Sequence, residues 1–241
     1  MKLFGLIGFP LSHSFSKKYF TEKFKKEGIK DSSYELFEID TIEKLSSVLK
    51  EDGLIGLNVT IPYKQQVIPF LDELDPAAEE IGAVNVIKIQ EGKLKGYNSD
   101  YFGFKQSLES FLNGAKPKAL VLGTGGASKA VVKALQDMGI EHQNVSRNSS
   151  ETSINYEQAG SAIGEYQLII NTTPLGMHPK VDACPDLPYD KMNESYFLYD
   201  LVYNPEETLF MKKGREQGAK AIHGMEMLIG QAEKAYEIWG E

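Results

Sequence analysis

The chain has 241 residues, 41% of them hydrophobic and 25% charged, enough apolar material for one large domain or two small ones. Its net charge of -8 gives no electrostatic reason to bind nucleic acid or an anionic membrane, so an anionic ligand must be caught by local groups. A single cysteine, Cys184, excludes an intrachain disulfide and a cysteine-rich zinc site, and no apolar run approaches a membrane span.

The start, MKLFGLIGFP, has no small-residue cleavage pattern and reads as a strand rather than a signal peptide, which points to a cytoplasmic protein. Short apolar runs then alternate with helical patterns, the signature of an α/β architecture with mostly parallel strands. KLFGLIGF, YELFEI and LIGLNVTI are expected strands; SKKYFTEKFKKEG and TIEKLSSVLKEDG are expected helices, the second capped by Thr41. In NVTIPYK, Pro62 stops the strand and Lys64 falls where the chain is expected to turn into a helix. AVNVIKI and KLKGYN, joined by Gln90-Glu91-Gly92, read as a hairpin, and YFGFKQSLESFLNG as a helical bridge ending at Gly114. A domain boundary is expected near residues 100 to 114.

A second strand-helix series starts at KPKALVLG and runs through ASKAVVKALQDMG, HQNVSR, YQLIINTT, YFLYDLVY and ETLFMKKGREQGA to a last helix in GMEMLIGQAEKAYEIWG. Within it, LVLGTGGASKAVVKAL has the strand, glycine turn and helix of a dinucleotide site. Gly123 permits the tight turn, Gly125 and Gly126 let the backbone approach a pyrophosphate, and the helix from Ala127 offers free N–H groups to it. Ser128 stands where the third glycine usually does, so a purely structural turn remains an alternative. The next strand ends in Ser146-Arg147 with no acid from Gln143 to Asn148. An acid would bind the ribose hydroxyls of NAD, whereas a guanidinium accommodates the 2′-phosphate of NADP, so NADP is expected; a solvent-facing Arg147 is the plainer reading.

Eight segments, GFPLSHSFS, NVTIPYK, GAVN, GYNSD, GTGGAS, NTTPLGM, YDLVYNP and GMEMLIGQA, resemble the shikimate dehydrogenase family in order and across almost the whole chain. The resemblance implies an N-terminal α/β substrate domain, residues 1–100, completed by a returning C-terminal helix, 224–241, and a Rossmann-type NADP domain over 101–223. It implies reversible reduction of 3-dehydroshikimate to shikimate, on the way to chorismate and the aromatic amino acids. Carried over by motif, Lys64 and Asp100 are the catalytic pair; Ser14 and Ser16 hold the substrate carboxylate, with Tyr203 closing over that end; Thr60, Asn85, Asp100 and Gln231 hold its hydroxyls. Gly123, Thr124, Gly125, Gly126 and Ala127 hold the pyrophosphate, Ser146 and Arg147 the adenosine phosphate, and Leu201 and Gly224 lie beside the nicotinamide.

Three departures stand out: Ser146-Arg147-Asn148 replaces the usual Asn-Arg-Thr, the segment after it, NSSETSINYEQAGSAIGEY, is short for the family, so a helix there is expected to be trimmed or missing, and Lys17 replaces a proline after the serines. Plainer roles stay open as well. Asp100, Ser14 and Ser16 could be helix caps, Lys64 a snorkelling lysine at a helix start, and Gln231 a solvent-facing residue. A relative acting on quinate or an aminated analogue with NAD, or a non-catalytic ligand sensor, would share these motifs. His13, His142, His178 and His223 show no metal-ligand spacing, so no metal is expected. Whether the chain is a monomer or a homodimer is not written in it.

Overall fold

The computed structural model describes residues 1–12 and 14–240; His13, beside the serine motif, and Glu241 lie outside the described residues. The chain divides into two compact units, Met1–Ser99 with Ala232–Glu241, and Asp100–Gln231.

In the first unit the elements run β1 (Lys2–Gly8), α1 (Phe15–Glu27), β2 (Ser32–Glu38), α2 (Leu45–Val48), β3 (Leu54–Val59), β4 (Glu73–Leu74), α3 (Pro76–Ile81), β5 (Val86–Gln90) and β6 (Lys93–Tyr97). They form one mixed sheet in the order β2-β1-β3-β5-β6-β4, with β5 antiparallel to both neighbours and the rest parallel. The expected β5–β6 hairpin is present, its two-residue turn made by Glu91 and Gly92, both at positive φ (53° and 77°). One face of the sheet packs Phe4, Leu6 and Tyr34 against Phe20 and Phe24 of α1 and against Ala232, Ala235, Ile238 and Trp239 of the C-terminal helix. A Cβ on Gly56 would lie 2.2 Å from Trp239 Nε1, so glycine is what lets the indole settle on β3 and donate to the Ile87 carbonyl at 3.0 Å.

Two expectations fail here. The helix expected from Thr41 is a 3₁₀ turn, Ile42–Lys44, followed by the single turn of α2, and Thr41 makes no side-chain cap. The buried residues Ile42, Leu45 and Val48 recur every third position, a spacing that suits a 3₁₀ turn, where such residues eclipse, better than an α-helix. Nor does a helix begin at Lys64: isolated turns carry the chain to a 3₁₀ turn at Ile68–Phe70. The snorkelling role at a helix start therefore has no helix to belong to.

The second unit contains α4 (Ser99–Leu112, from its second residue), β7 (Ala119–Leu122), α5 (Gly126–Asp137), β8 (His142–Val145), β9 (Ser153–Ile154), α6 (Tyr156–Ser161), β10 (Leu168–Asn171), β11 (Phe197–Asp200), α7 (Leu209–Glu216), β12 (Lys220–His223) and the first part of α8 (Met225–Gly240). Its sheet is parallel throughout, in the order β12-β11-β10-β7-β8-β9. Read from the other edge, this is the 3-2-1-4-5-6 order of a doubly wound dinucleotide fold, with its switch point between β7 and β10. The strands β7 and β10 are buried at every residue, as a sheet covered on both faces requires. Among the described residues no helix lies between β8 and β9, but the short segment expected to trim or lose a helix keeps one, α6, opened by an Asn155–Gln158 capping box.

Candidate active site

The expected site residues divide between the units. Ser14, Ser16, Thr60, Lys64 and Asn85 belong to the first; Asp100, Tyr203, Gln231 and every cofactor residue belong to the second.

In the first unit these residues cluster where strands end. Ser14 caps α1, its side chain accepting from the Ser16 N–H at 3.3 Å, so the capping role is real and joins the two serines. Thr60 follows β3, its N–H donating to the Ile7 carbonyl at 2.9 Å; a Cβ on Gly8 would come within 2.3 Å of the Thr60 methyl, so only glycine lets the two strand ends meet. Tyr63 is buried and donates its hydroxyl to the Ile39 carbonyl at 2.7 Å, which anchors the turn carrying Lys64. The Lys64 carbonyl accepts from the Val84 N–H at 2.8 Å, one residue before Asn85. Asn85 is 3% exposed; its Oδ1 accepts from the Ser99 N–H at 2.6 Å and its Nδ2 donates to Ser99 Oγ at 3.0 Å. An amide has two N–H donors, and Ser99 takes one of them.

In the second unit the glycine loop sits at the switch point. Gly123 has φ +111°, and a Cβ there would meet Thr172 Oγ1 at 2.6 Å, so both conformation and packing require glycine. A Cβ on Gly125 or Gly126 would meet nothing within 4 Å, leaving open the side from which an anion would approach the start of α5. Ser128, in the unusual third position, is buried and donates its hydroxyl to the Gly125 carbonyl at 2.7 Å, so it braces the loop instead of crowding it. These residues fit a dinucleotide pyrophosphate. At the end of β8, the Ser146 hydroxyl donates to the Asn148 carbonyl and lies 3.1 Å from Ser153 Oγ, so it shapes its own turn; Arg147 beside it is exposed.

Beyond β10 and β11 lies a buried cluster that sequence reasoning did not single out. Asp200, with no exposed surface, accepts from Asn171 Nδ2 at 2.9 Å, the Val202 N–H at 3.0 Å and Thr208 Oγ1 at 2.6 Å. Asn171 in turn accepts from the Thr173 N–H and hydroxyl at 3.1 and 2.6 Å. Burial pushes the Asp200 carboxyl up to about 6, although the three donors hold it back. The signal was the acid closing the apolar run YFLYD. This cluster ties down the loop that bears Leu201 and half-buried Tyr203. A Cβ on Gly224 would lie 2.2 Å from the Leu201 carbonyl, which sets the two expected nicotinamide neighbours side by side.

Asp100 lies in the first turn of α4, one residue past the helix start. The next residue, Tyr101, donates to Asp137 at 2.6 Å, and Asp137 also pairs with Lys133 at 2.7 Å, which locks the start of α4 to the end of α5. Burial, then the Asp137 carboxylate, pushes the Tyr101 hydroxyl up to about 12. Helices α4 and α8 cross closely: Cβ atoms on Gly103 and Gly230 would meet opposing backbone at 2.4 and 3.1 Å. Asp100 precedes one of these glycines by a helical turn and Gln231 follows the other. Gln231 is 8% exposed and donates to the Leu228 carbonyl at 2.9 Å, so it does not face solvent.

Comparison with known proteins agrees with this architecture. Residues 6–87 match the family model described as the shikimate dehydrogenase substrate binding domain. A shikimate dehydrogenase (NADP(+)) of Clostridium beijerinckii is 42% identical, the alignment covering 100% of this chain and 93% of that protein. Among solved structures, shikimate 5-dehydrogenase of Thermus thermophilus in complex with NADP(H) and shikimate superposes with a TM-score of 0.87 at 32% identity, covering 99% of this chain and 93% of the other. Quinate dehydrogenase of Corynebacterium glutamicum in complex with NAD superposes with a TM-score of 0.89 at 27% identity, covering 99% and 93%.

Proposed function

We infer the activity from descent and geometry together: the chain belongs to the shikimate dehydrogenase family, and it catalyses the reversible NADPH-dependent reduction of 3-dehydroshikimate to shikimate. The observation that carries this reading is the glycine loop at the switch point of a parallel sheet, in a chain whose other unit matches the family's substrate-binding domain. The first unit, completed by the end of α8, is the substrate domain; the second holds NADP.

NADP supplies the hydride when bound. A proton must reach or leave the substrate oxygen as the hydride moves, and Lys64 is the group for that exchange, with Asp100 accepting from the substrate hydroxyl beside it. A positioned acid/base of this kind is typically worth about 10²–10⁴ in rate. Ser14 and Ser16, at the positive end of α1, bind the carboxylate, and Tyr203 closes over it. Thr60, Asn85 and Gln231 hold the ring hydroxyls. Gly123 through Ala127 cradle the pyrophosphate, Arg147 pairs with the adenosine 2′-phosphate beside Ser146, and Leu201 and Gly224 flank the nicotinamide.

The test is shikimate-dependent NADP reduction, followed by nicotinamide absorbance. Wild type should turn over, and Lys64→Ala should lose roughly 10²–10⁴ in kcat with NADP binding intact. Undiminished turnover in Lys64→Ala would remove lysine from the chemistry. Specificity constants for shikimate and quinate, each with NADP and NAD, decide substrate and cofactor preference, because discrimination resides in that ratio.

A further inference from the structure

Tyr34 is a buried residue of β2 that neither the motifs nor the mechanism uses. Its ring is fully accounted for by packing: it stacks on Phe20 with centroids 4.6 Å apart and lies 6.4 Å from Trp239. Phenylalanine would pack there equally well. The hydroxyl is the oddity, since a buried hydroxyl costs stability unless its hydrogen bonds are made. Here its proton is placed: Tyr34 donates to Asn58 Oδ1 at 2.7 Å.

The connection continues beyond Asn58. Asn58, 5% exposed, passes it on by donating from Nδ2 to the Asn85 carbonyl at 3.3 Å. Asn85 clasps Ser99 through both ends of its amide. A continuous line of neutral groups thus runs from Tyr34 across the sheet to Ser99, the residue that precedes Asp100. Each link is an uncharged donor-acceptor pair, and burial drives the phenol's ionisation far above its ordinary range, so the Tyr34 proton stays in place.

We propose that Tyr34 is a positioning residue for substrate binding: its hydroxyl, through Asn58, fixes the Asn85 that meets a ring hydroxyl. The proposal rests on the functional reading above and deepens it. An amide held from behind presents its remaining donor in one direction, so less ordering is left to occur when the substrate binds.

The test compares wild type with Tyr34→Phe, which deletes one oxygen and keeps the ring. The expected result is a roughly tenfold rise in the KM for shikimate, with kcat and the KM for NADP changed less than about twofold, and a matching loss of shikimate affinity by calorimetry. In an Asn85→Ala background the same substitution should cost less than about threefold, because the group it positions is already gone. Asn58→Ser cuts the line beyond the phenol and should also raise the KM for shikimate selectively, which decides the matter if Tyr34→Phe does not fold. An unchanged KM for shikimate, an equal rise in both KM values, or full additivity with Asn85→Ala overturns the proposal while leaving the activity standing. A wild type that does not oxidise shikimate overturns the functional reading and this inference with it.

Discussion

The two units each bury a polar cluster beneath their expected binding residues, and they build it from opposite materials. In the first unit Tyr34, Asn58, Asn85 and Ser99 form a line of neutral side chains joined by neutral hydrogen bonds. In the second, Asp200 is a single ionisable node that gathers Asn171, Val202 and Thr208 and so fastens the loops after β10 and β11 together. A carboxylate offers about four lone-pair sites and accepts charge-assisted hydrogen bonds roughly twice as strong as neutral ones, so one residue can do what four do elsewhere. The cost is sensitivity to protonation. A neutral line keeps its geometry over the whole physiological range, whereas a buried carboxyl pushed up to about 6 does not.

The sharpest way to break this contrast is to empty each centre. Asp200→Ala orphans three buried donors at about 1–3 kcal/mol each, so a loss of at least about 3 kcal/mol in urea unfolding is expected, with weakened NADP binding. Tyr34→Phe orphans far less and should cost about 1–2 kcal/mol while leaving NADP binding alone. Equal losses would mean that the charged node holds no more than the neutral line. A smaller effect separates the cofactor face from the substrate face: Arg147→Ala should weaken NADP about tenfold by calorimetry and leave NAD unchanged, since only NADP carries the 2′-phosphate. If both cofactors weaken together, Arg147 is not the phosphate partner.

How much of this could be read in the chain follows the range of the interactions. The glycine loop was legible because strand, turn and helix are consecutive and Gly123 serves a local need, a positive φ against Thr172. The fold class followed from the alternation of apolar runs for the same reason. Ser128 and Ser146 were visible as departures, but their use was not: each hydroxyl turns back onto a carbonyl within three residues, a local detail that residue type alone does not dictate. The helix expected from Thr41 was misread because Ile42, Leu45 and Val48 satisfy a period of three as well as one of 3.6. Tyr34 and Asn58 were missed because their partnership spans an intervening strand, β1, and the sheet order that brings them together is not a property of either segment.

The mildest probe of the contrast is pH, and its sign can be worked out from Asp200 alone. Unfolded, the carboxyl titrates near its ordinary value of about 4; folded, burial lifts it to about 6. Between those values the native chain holds a proton that the unfolded chain has lost, so this group makes the protein progressively less stable as pH rises from about 4 to about 6. Binding runs the other way. Above about 6 the ionised carboxylate accepts from Asn171, Val202 and Thr208 together; below it, the protonated group gives up part of that capacity and the loop bearing Leu201 and Tyr203 loses its fastening. NADP affinity should therefore fall severalfold as pH drops through about 6, while shikimate binding, served by the neutral line, shows no step attributable to Tyr34. Calorimetric titration of NADP into wild type and Asp200→Asn across this range is the measurement. In the variant the step should vanish, because the asparagine amide does not titrate; a step that persists would place the titrating group elsewhere.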